Sequence, residues 1–292
     1  GVLGPGLHGR IDVAKYDVGL KLGLNVFVQA HGGTSNRPGF EFIAPVMDHT
    51  KKHRLIPFAR DGDENYIMLM GDQEMKIIQN GGIVQDGGGD YNPVTPFPTA
   101  DLEGLDYVQS IDVMYFASHQ HFPQRMARAG ITDWTFANLP IEPTLAAPTG
   151  LTVTPSMVGS ETYSYKVSPV QDGVEGFPTA EEEITNASDL NTAGNENVIT
   201  WSGTSEEYNV YKGRNGIFGY IGFTTEETFT DDNISADLTL TPVESAGVFG
   251  AADDYPAKVT LFQQRLIFAN TINQPETVFA SKTGDFNNFT RS

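Results

Sequence analysis

The sequence predicts a mainly β chain of several domains, on three observations. Runs rich in Val, Ile, Phe and Tyr recur along it, and breakers drawn from 31 Gly and 17 Pro interrupt them. The interruptions come about every eight to twelve residues, the spacing of β-rich folds. Helical periodicity is almost absent. At 292 residues the chain has room for two or three domains with cores of their own.

In the opening region, GPGLHG (Gly4 to Gly9) matches the G-x-G-x-x-G spacing, but a dinucleotide site needs a strand before it and a helix after it. It is read as a glycine-rich arm. Strands are predicted at Leu24 to Gln29, Tyr66 to Met70, Met75 to Gln79 and Tyr107 to Ala117, with tight turns at His31 to Gly39 and at Asn80-Gly81. A single helical turn is predicted over Thr99 to Leu105, capped by Thr99. His119 and His121 would share one face of a strand as a metal pair. No third ligand is evident and Pro123 favours a loop, so the pair reads as exposed or hydrogen-bonded.

The Pro-rich connector Leu139 to Gly150 marks a boundary. Beyond it, Tyr163, Tyr165 and Val167 alternate along one strand, and Val198, Thr200 and Ser202 take one side of the next. Tyr208 to Tyr211 leads into GRNGIFGYIG. Alternation, Trp201 within a strand and Gly/Asn turns predict an immunoglobulin-like or fibronectin-like sandwich. Asp231, Asn233, Ser235 and Asp237 alternate as in a calcium loop, but Ala236 holds the glycine position and no Glu stands at the twelfth; Asp231 to Asn233 reads as a turn. From Asp253 onward, strands at Val259 to Phe262, Arg265 to Ala269 and Thr277 to Ser281 open a propeller-like sheet. Nothing in the sequence covers its last edge. The chain is therefore expected to be cut short, or to close against copies of itself, and Gly1 in place of Met points the same way at the other end. The expected domains are 1–142, a β-rich platform; 143–250, the sandwich; and 251–292, the first propeller-like strands.

Composition narrows the function. There are no cysteines, which excludes disulfides and thiolate metal sites. No apolar run is long enough to span a membrane as a helix, and no secretory leader pattern opens the chain. The net charge is −19, and between Leu145 and Gly250 there are 16 acidic residues against three basic ones, a local net of −13. Apart from Lys51, Lys52, His53 and Arg54 no basic cluster exists, so tight binding to nucleic acid is not expected. Nucleophile elbow, zinc-protease and P-loop motifs are missing, and no cofactor is expected.

The ordered strings GLHGRIDVAKY, NVFVQAHGGTSNRPGFEFI, HRLIPF, DYVQSIDVMYFASHQHFP, RMARAGITDWTF and YPAKVTLFQQRLIFA, followed by SKTGDFNNF, span most of the chain. In number and order this series resembles the tail hub or nozzle (tail tubular) proteins of short-tailed bacteriophages, with the sandwich as an inserted domain. The resemblance implies a non-enzymatic virion protein of the tail, present in the host cytoplasm during assembly. It implies a homo-hexameric ring below the tail adaptor protein, around a channel through which genomic DNA passes without specific hold, and contacts with tail fibres or spikes. Arg10, Arg37, Arg54, Arg125 and Arg265 are the candidates for inter-subunit or loop-fixing charges, since a guanidinium forms rigid paired bonds. Trp134 is the candidate anchor of a core or an interface. The alternatives are a glycan-binding adhesin and a tail-spike enzyme working through two carboxylates.

Overall fold

In the computed structural model, which describes residues 1–62 and 64–291, 47% of the chain is strand and 2% helix. The fold is mainly β and multi-domain, as the sequence predicts. By contacts it divides into two compact units, Gly1–Pro45 and Val46–Ser292. In the first, β1 (Val26–Val28) pairs with β2 (Thr34–Asn36) in a short ribbon. No residue of this unit is buried. The strand is shorter than the predicted Leu24 to Gln29 because Asn25 sits at φ +57°. GPGLHG forms a 3-10 turn over Pro5–Leu7.

The second unit is layered. Its first sheet runs β3 (Arg54–Asp61), β4 (Glu64–Met70), β5 (Met75–Gln79) and β6 (Gly82–Ile83) in order, all antiparallel. Pro57 is tolerated because β3 is the edge. The β5–β6 turn has Asn80 at φ +50° and Gly81 at φ +78°, the two left-handed residues of the turn that matches strand twist. A small hairpin, β7 (Gln85–Asp86) and β8 (Gly89–Asp90), follows.

The second sheet is a meander of β9 (Asp106–Ser110), β10 (Val113–Ser118), β11 (His121–Gly130) and β12 (Asp133–Asn138). Here the predicted single strand Tyr107 to Ala117 is corrected to a hairpin, with Ser110 paired to Val113 around Ile111 and Asp112. That turn has no Gly, Pro or Asn to announce it. The predicted helical turn is likewise corrected to hydrogen-bonded turns over residues 99–104, and the Thr99 hydroxyl donates to the Lys52 carbonyl rather than capping a helix.

Strand β10 shows why the layers stack. Its run Val-Met-Tyr-Phe-Ala is apolar on both faces, the pattern of a strand covered on both sides. Met114 and Phe116 face the first sheet, in a core with Ile56, Phe58, Tyr66, Met68, Met126 and Trp134. Tyr115 and Ala117 face the opposite way, in a core with Val259, Leu266, Phe268 and Phe289. Segment 251–292 therefore shares a core with the sheet of residues 106–138.

Between these lie β13 (Thr149–Pro155), β14 (Val158–Gln171), β15 (Val174–Glu175), β16 (Glu182–Ala187), β17 (Asn197–Ser202), β18 (Glu207–Arg214), β19 (Ile217–Thr224) and β20 (Thr228–Asp231). One sheet has the order β13-β17-β20, the other β15-β14-β18-β19 with β16 also on β14. Tyr165, Val167, Ile199, Trp201, Tyr208 and Val210 from both sheets form one core, so the two pack as a sandwich. Thr200 and Ser202 point outward, exposed, while their neighbours Ile199 and Trp201 are buried. Beyond it, β21 (Lys258–Phe262), β22 (Arg265–Ala269) and β23 (Val278–Ala280) pair in order. These match the predicted strands within a residue.

Candidate functional site

The most organised polar cluster lies where the turns of the first two sheets meet. Arg128, on β11, is 8% exposed at its side chain, and its Nη2 donates to the Tyr66 hydroxyl at 2.7 Å. Its guanidinium lies 4.9 Å over the Tyr66 ring and 5.8 Å from that of Trp134. Glu64 at 3.7 Å and Asp112 at 3.6 Å balance its charge. Arg60, on β3, pairs with the same two carboxylates, donating from Nε to Asp112 at 3.0 Å and from Nη1 to Glu64. Its pKa is raised, first by the hydrogen bond to Glu64 and then by the charge of Asp112. Two arginines and two carboxylates thus tie β3, β4, β11 and the β9–β10 turn together. Gln109 adds to this: its Nε2 donates to the carbonyls of Ala59 and Ile111, and its Oε1 accepts the Ala59 N–H at 3.1 Å.

The residues singled out in the sequence are dispersed. Arg10 makes a two-pronged, exposed pair with Asp12 at 2.7 and 2.6 Å, which lowers the Asp12 pKa, and Arg37 lies 4.5 Å over the Phe40 ring. Arg54 donates from Nη1 to the carbonyls of Leu102 and Leu105, bracing the loop before β9. Arg125, half-buried on β11, faces Tyr115 across the β10–β11 pair. Arg265 donates to the Ser281 carbonyl at 2.7 Å. Trp134 is buried, edge-on to Phe58 and Tyr66 at 4.8 and 5.3 Å, and its Nε1 donates to the Ile131 carbonyl at 3.0 Å. Of these six, Trp134 alone meets the Arg128 cluster. Arg60 and Glu64 were not singled out, and Gln109, Asp112 and Arg128 stood only inside strings of the resemblance; their convergence depends on the antiparallel register of two sheets, which no spacing in the sequence encodes.

The weaker motifs resolve into internal contacts. His119 lies in the β10–β11 turn rather than on a strand, while His121 opens β11, its Nε2 2.8 Å from Asp101 and its ring edge-on to Phe97. Asp231 is fully buried. Its Oδ2 accepts from Tyr165 at 2.7 Å and pairs with Lys212 at 2.8 Å, and its Oδ1 accepts the N–H groups of Asn233 and Ile234. Both oxygens are therefore occupied within the fold. Among the described residues no group of three His, Asp or Glu is placed to hold a metal ion. The sandwich's Trp201, Tyr165, Tyr208 and Tyr211 are buried. No model of a known protein family matches the chain, and no curated protein does.

Proposed function

We propose that this chain is a structural, non-enzymatic component of a short-tailed phage tail, a subunit of the hub or nozzle ring below the tail adaptor protein, around the DNA-ejection channel. One observation carries the reading: the strings behind the resemblance fall on bracing elements of the fold. Arg54-Leu55-Ile56-Pro57-Phe58 opens β3, whose Arg54 holds the loop before β9. Gln109 to Met114 form the braced turn, and Thr132-Asp133-Trp134 brings in the aromatic that packs against Tyr66 and Phe58. Gln264-Arg265-Leu266 runs from the β21–β22 turn into β22, with Leu266 in the core shared with the second sheet. Residues that fix element positions are what a ring subunit needs, since each interface must repeat the same geometry.

The adhesin reading draws less support, because the Tyr and Trp side chains that would stack on sugars are largely spent on the sandwich core. In the tail reading the acidic surface repels DNA passing along the channel wall. The test is electron microscopy of the protein, from intact particles where they are obtained. A six-fold ring on the tail axis with a central channel is the expected result. A monomer, or a single copy projecting sideways from the particle, sinks the ring and turns attention to glycan binding.

A further inference from the structure

Inside the sandwich a lysine and an aspartate meet across the two sheets. Lys212 lies on β18, in one sheet, and Asp231 ends β20, in the other. Each has a polar neighbour across its own sheet, Tyr165 opposite Lys212 and Asn197 opposite Asp231. The Asp231 side chain is fully buried, that of Lys212 is 13% exposed, and Nζ lies 2.8 Å from Oδ2. The Tyr163 ring flanks the amine, its centroid 5.3 Å from Nζ.

The two oxygens of Asp231 have different partners. Oδ1 accepts the backbone N–H groups of Asn233 and Ile234 at 3.0 and 2.8 Å. Two donors fixed on one oxygen are what a tetrahedral intermediate needs to hold its negative charge. Asn233, at φ +86°, supplies the left-handed residue of this turn, a conformation asparagine tolerates. Oδ2 accepts the Tyr165 hydroxyl at 2.7 Å, and that hydroxyl accepts from the Asn197 amide at 2.9 Å. Nζ also donates to the Ile234 carbonyl at 3.3 Å, which steers the amine to the same turn.

Burying both charges is costly, and their attraction repays that cost only in part. A neutral amide would remove both charges and return one water to solvent. Groups fixed in this way react as though at an effective concentration on the order of 10⁵–10⁸ M, which favours condensation over hydrolysis.

We propose that Lys212 and Asp231 condense into an intramolecular isopeptide bond joining the two sheets of the sandwich. Nζ first passes a proton to Oδ2, leaving a neutral amine beside a carboxylic acid. The nitrogen lone pair forms the Nζ–Cγ bond, and the carbonyl electron pair moves onto Oδ1, between its two N–H donors. That pair then returns, a second nitrogen proton goes to Oδ2, and the Cγ–Oδ2 bond breaks, with the Tyr165 hydroxyl on the departing oxygen. One ammonium and one carboxylate become one amide and one water, and no co-reactant is needed. In a chain without cysteine, the bond closes β18 to β20 into a covalent loop and narrows the unfolded ensemble as a disulfide does. It depends on the sandwich alone and not on the tail reading.

Intact-mass spectrometry of the full chain, purified and then denatured, tests it. The expected mass is one water below that of the sequence. A tryptic digest should show no cleavage after Lys212 and one branched peptide joining the Lys212 and Asp231 segments. Lys212→Arg keeps the charge, but its guanidinium stays protonated and cannot attack, so this variant should return to the full sequence mass and melt at a lower temperature. Near-ultraviolet dichroism checks that it folds; where it does not, the branched peptide from the wild-type chain decides alone. A wild-type chain at full sequence mass, cleaved normally after Lys212, overturns the bond. A water loss that persists in folded Lys212→Arg lies elsewhere in the chain and overturns it as well. Loss of ammonia in place of water moves the acceptor to Asn197 and overturns the assignment to Asp231.

Discussion

At the scale of single residues, the fold places a few side chains where chemistry and geometry conflict, and these give sharp predictions. The left-handed Ile111 stores strain of order 1 kcal/mol with little buried surface to offset it, so Ile111→Gly should raise the unfolding free energy by about 1 kcal/mol in urea titrations. A loss of stability would mean the side chain packs within its own chain. Asp231 is the opposite case. It is a fully buried carboxylate that neutralises Lys212, accepts from Tyr165 and holds two backbone N–H groups. Asp231→Ala leaves the Asn233 and Ile234 N–H groups without this acceptor, the Tyr165 hydroxyl with only the Asn197 amide and the Lys212 ammonium hydrogen-bonded only to the Ile234 carbonyl, and about 3–5 kcal/mol should be lost, as when one member of a buried pair is removed. The same urea titration reads it, and a cost below about 1 kcal/mol would show that water reaches the site. Neither role was visible in the sequence. Asp231 stood there as a turn residue, and Ile111 as the middle of a strand.

Elements follow the sequence wherever period and turn chemistry agree. Strands β5 and β22 have the predicted bounds, Asn80-Gly81 closes its hairpin with both residues left-handed, and Asn215-Gly216 does so between β18 and β19. Legibility fails where turns lack their usual residues, because there tertiary contacts set the backbone. The β9–β10 turn is the case; the β21–β22 turn is placed in the sequence by the strand patterns on either side of it, although Gln263 and Gln264 sit at φ +48° and +59° with no glycine. Gln264→Gly should therefore stabilise the protein by about 1 kcal/mol, raising the urea midpoint without changing the slope. An unchanged midpoint would show that the two glutamines are held by interactions that offset their strain. The sandwich offers a pH test. Burial, then the charge of Asp231 beside Tyr165 and the Glu175 hydrogen bond at Tyr211, push both phenols far above their ordinary value. Below about pH 10 folded and unfolded chains both keep these protons. Above it the unfolded chain ionises first, so stability falls as pH rises. Phenolate absorbance from these two should appear only as near-ultraviolet dichroism is lost. If all 11 tyrosines ionise with the fold intact, the burial is not as described.

For the whole molecule, charge sets both what it avoids and how it assembles. The net charge is −19, and the basic run that ends at Arg54 is engaged internally: Lys51 pairs with Asp72 at 2.6 Å, Lys52 with Glu103 at 3.2 Å, and Arg54 with loop carbonyls. Counterion release needs free cations in a row, and here the cations are already paired. Duplex DNA should therefore show no retention by the chain at about 0.15 M salt, and lowering the salt should not create it. Self-association should respond in the opposite sense. Two copies at −19 repel, and screening shortens the reach of that repulsion from roughly 14 Å at about 50 mM salt to about 6 Å at 300 mM. Apolar burial between copies loses little to salt, so association should tighten over this range. Sedimentation at the two salt concentrations, with and without labelled duplex, reads both effects together. Tightening without DNA uptake is the expected pair of results. Co-sedimentation of DNA that weakens steeply with salt would instead make the surface a nucleic-acid grip, and the channel-wall reading would fall with it.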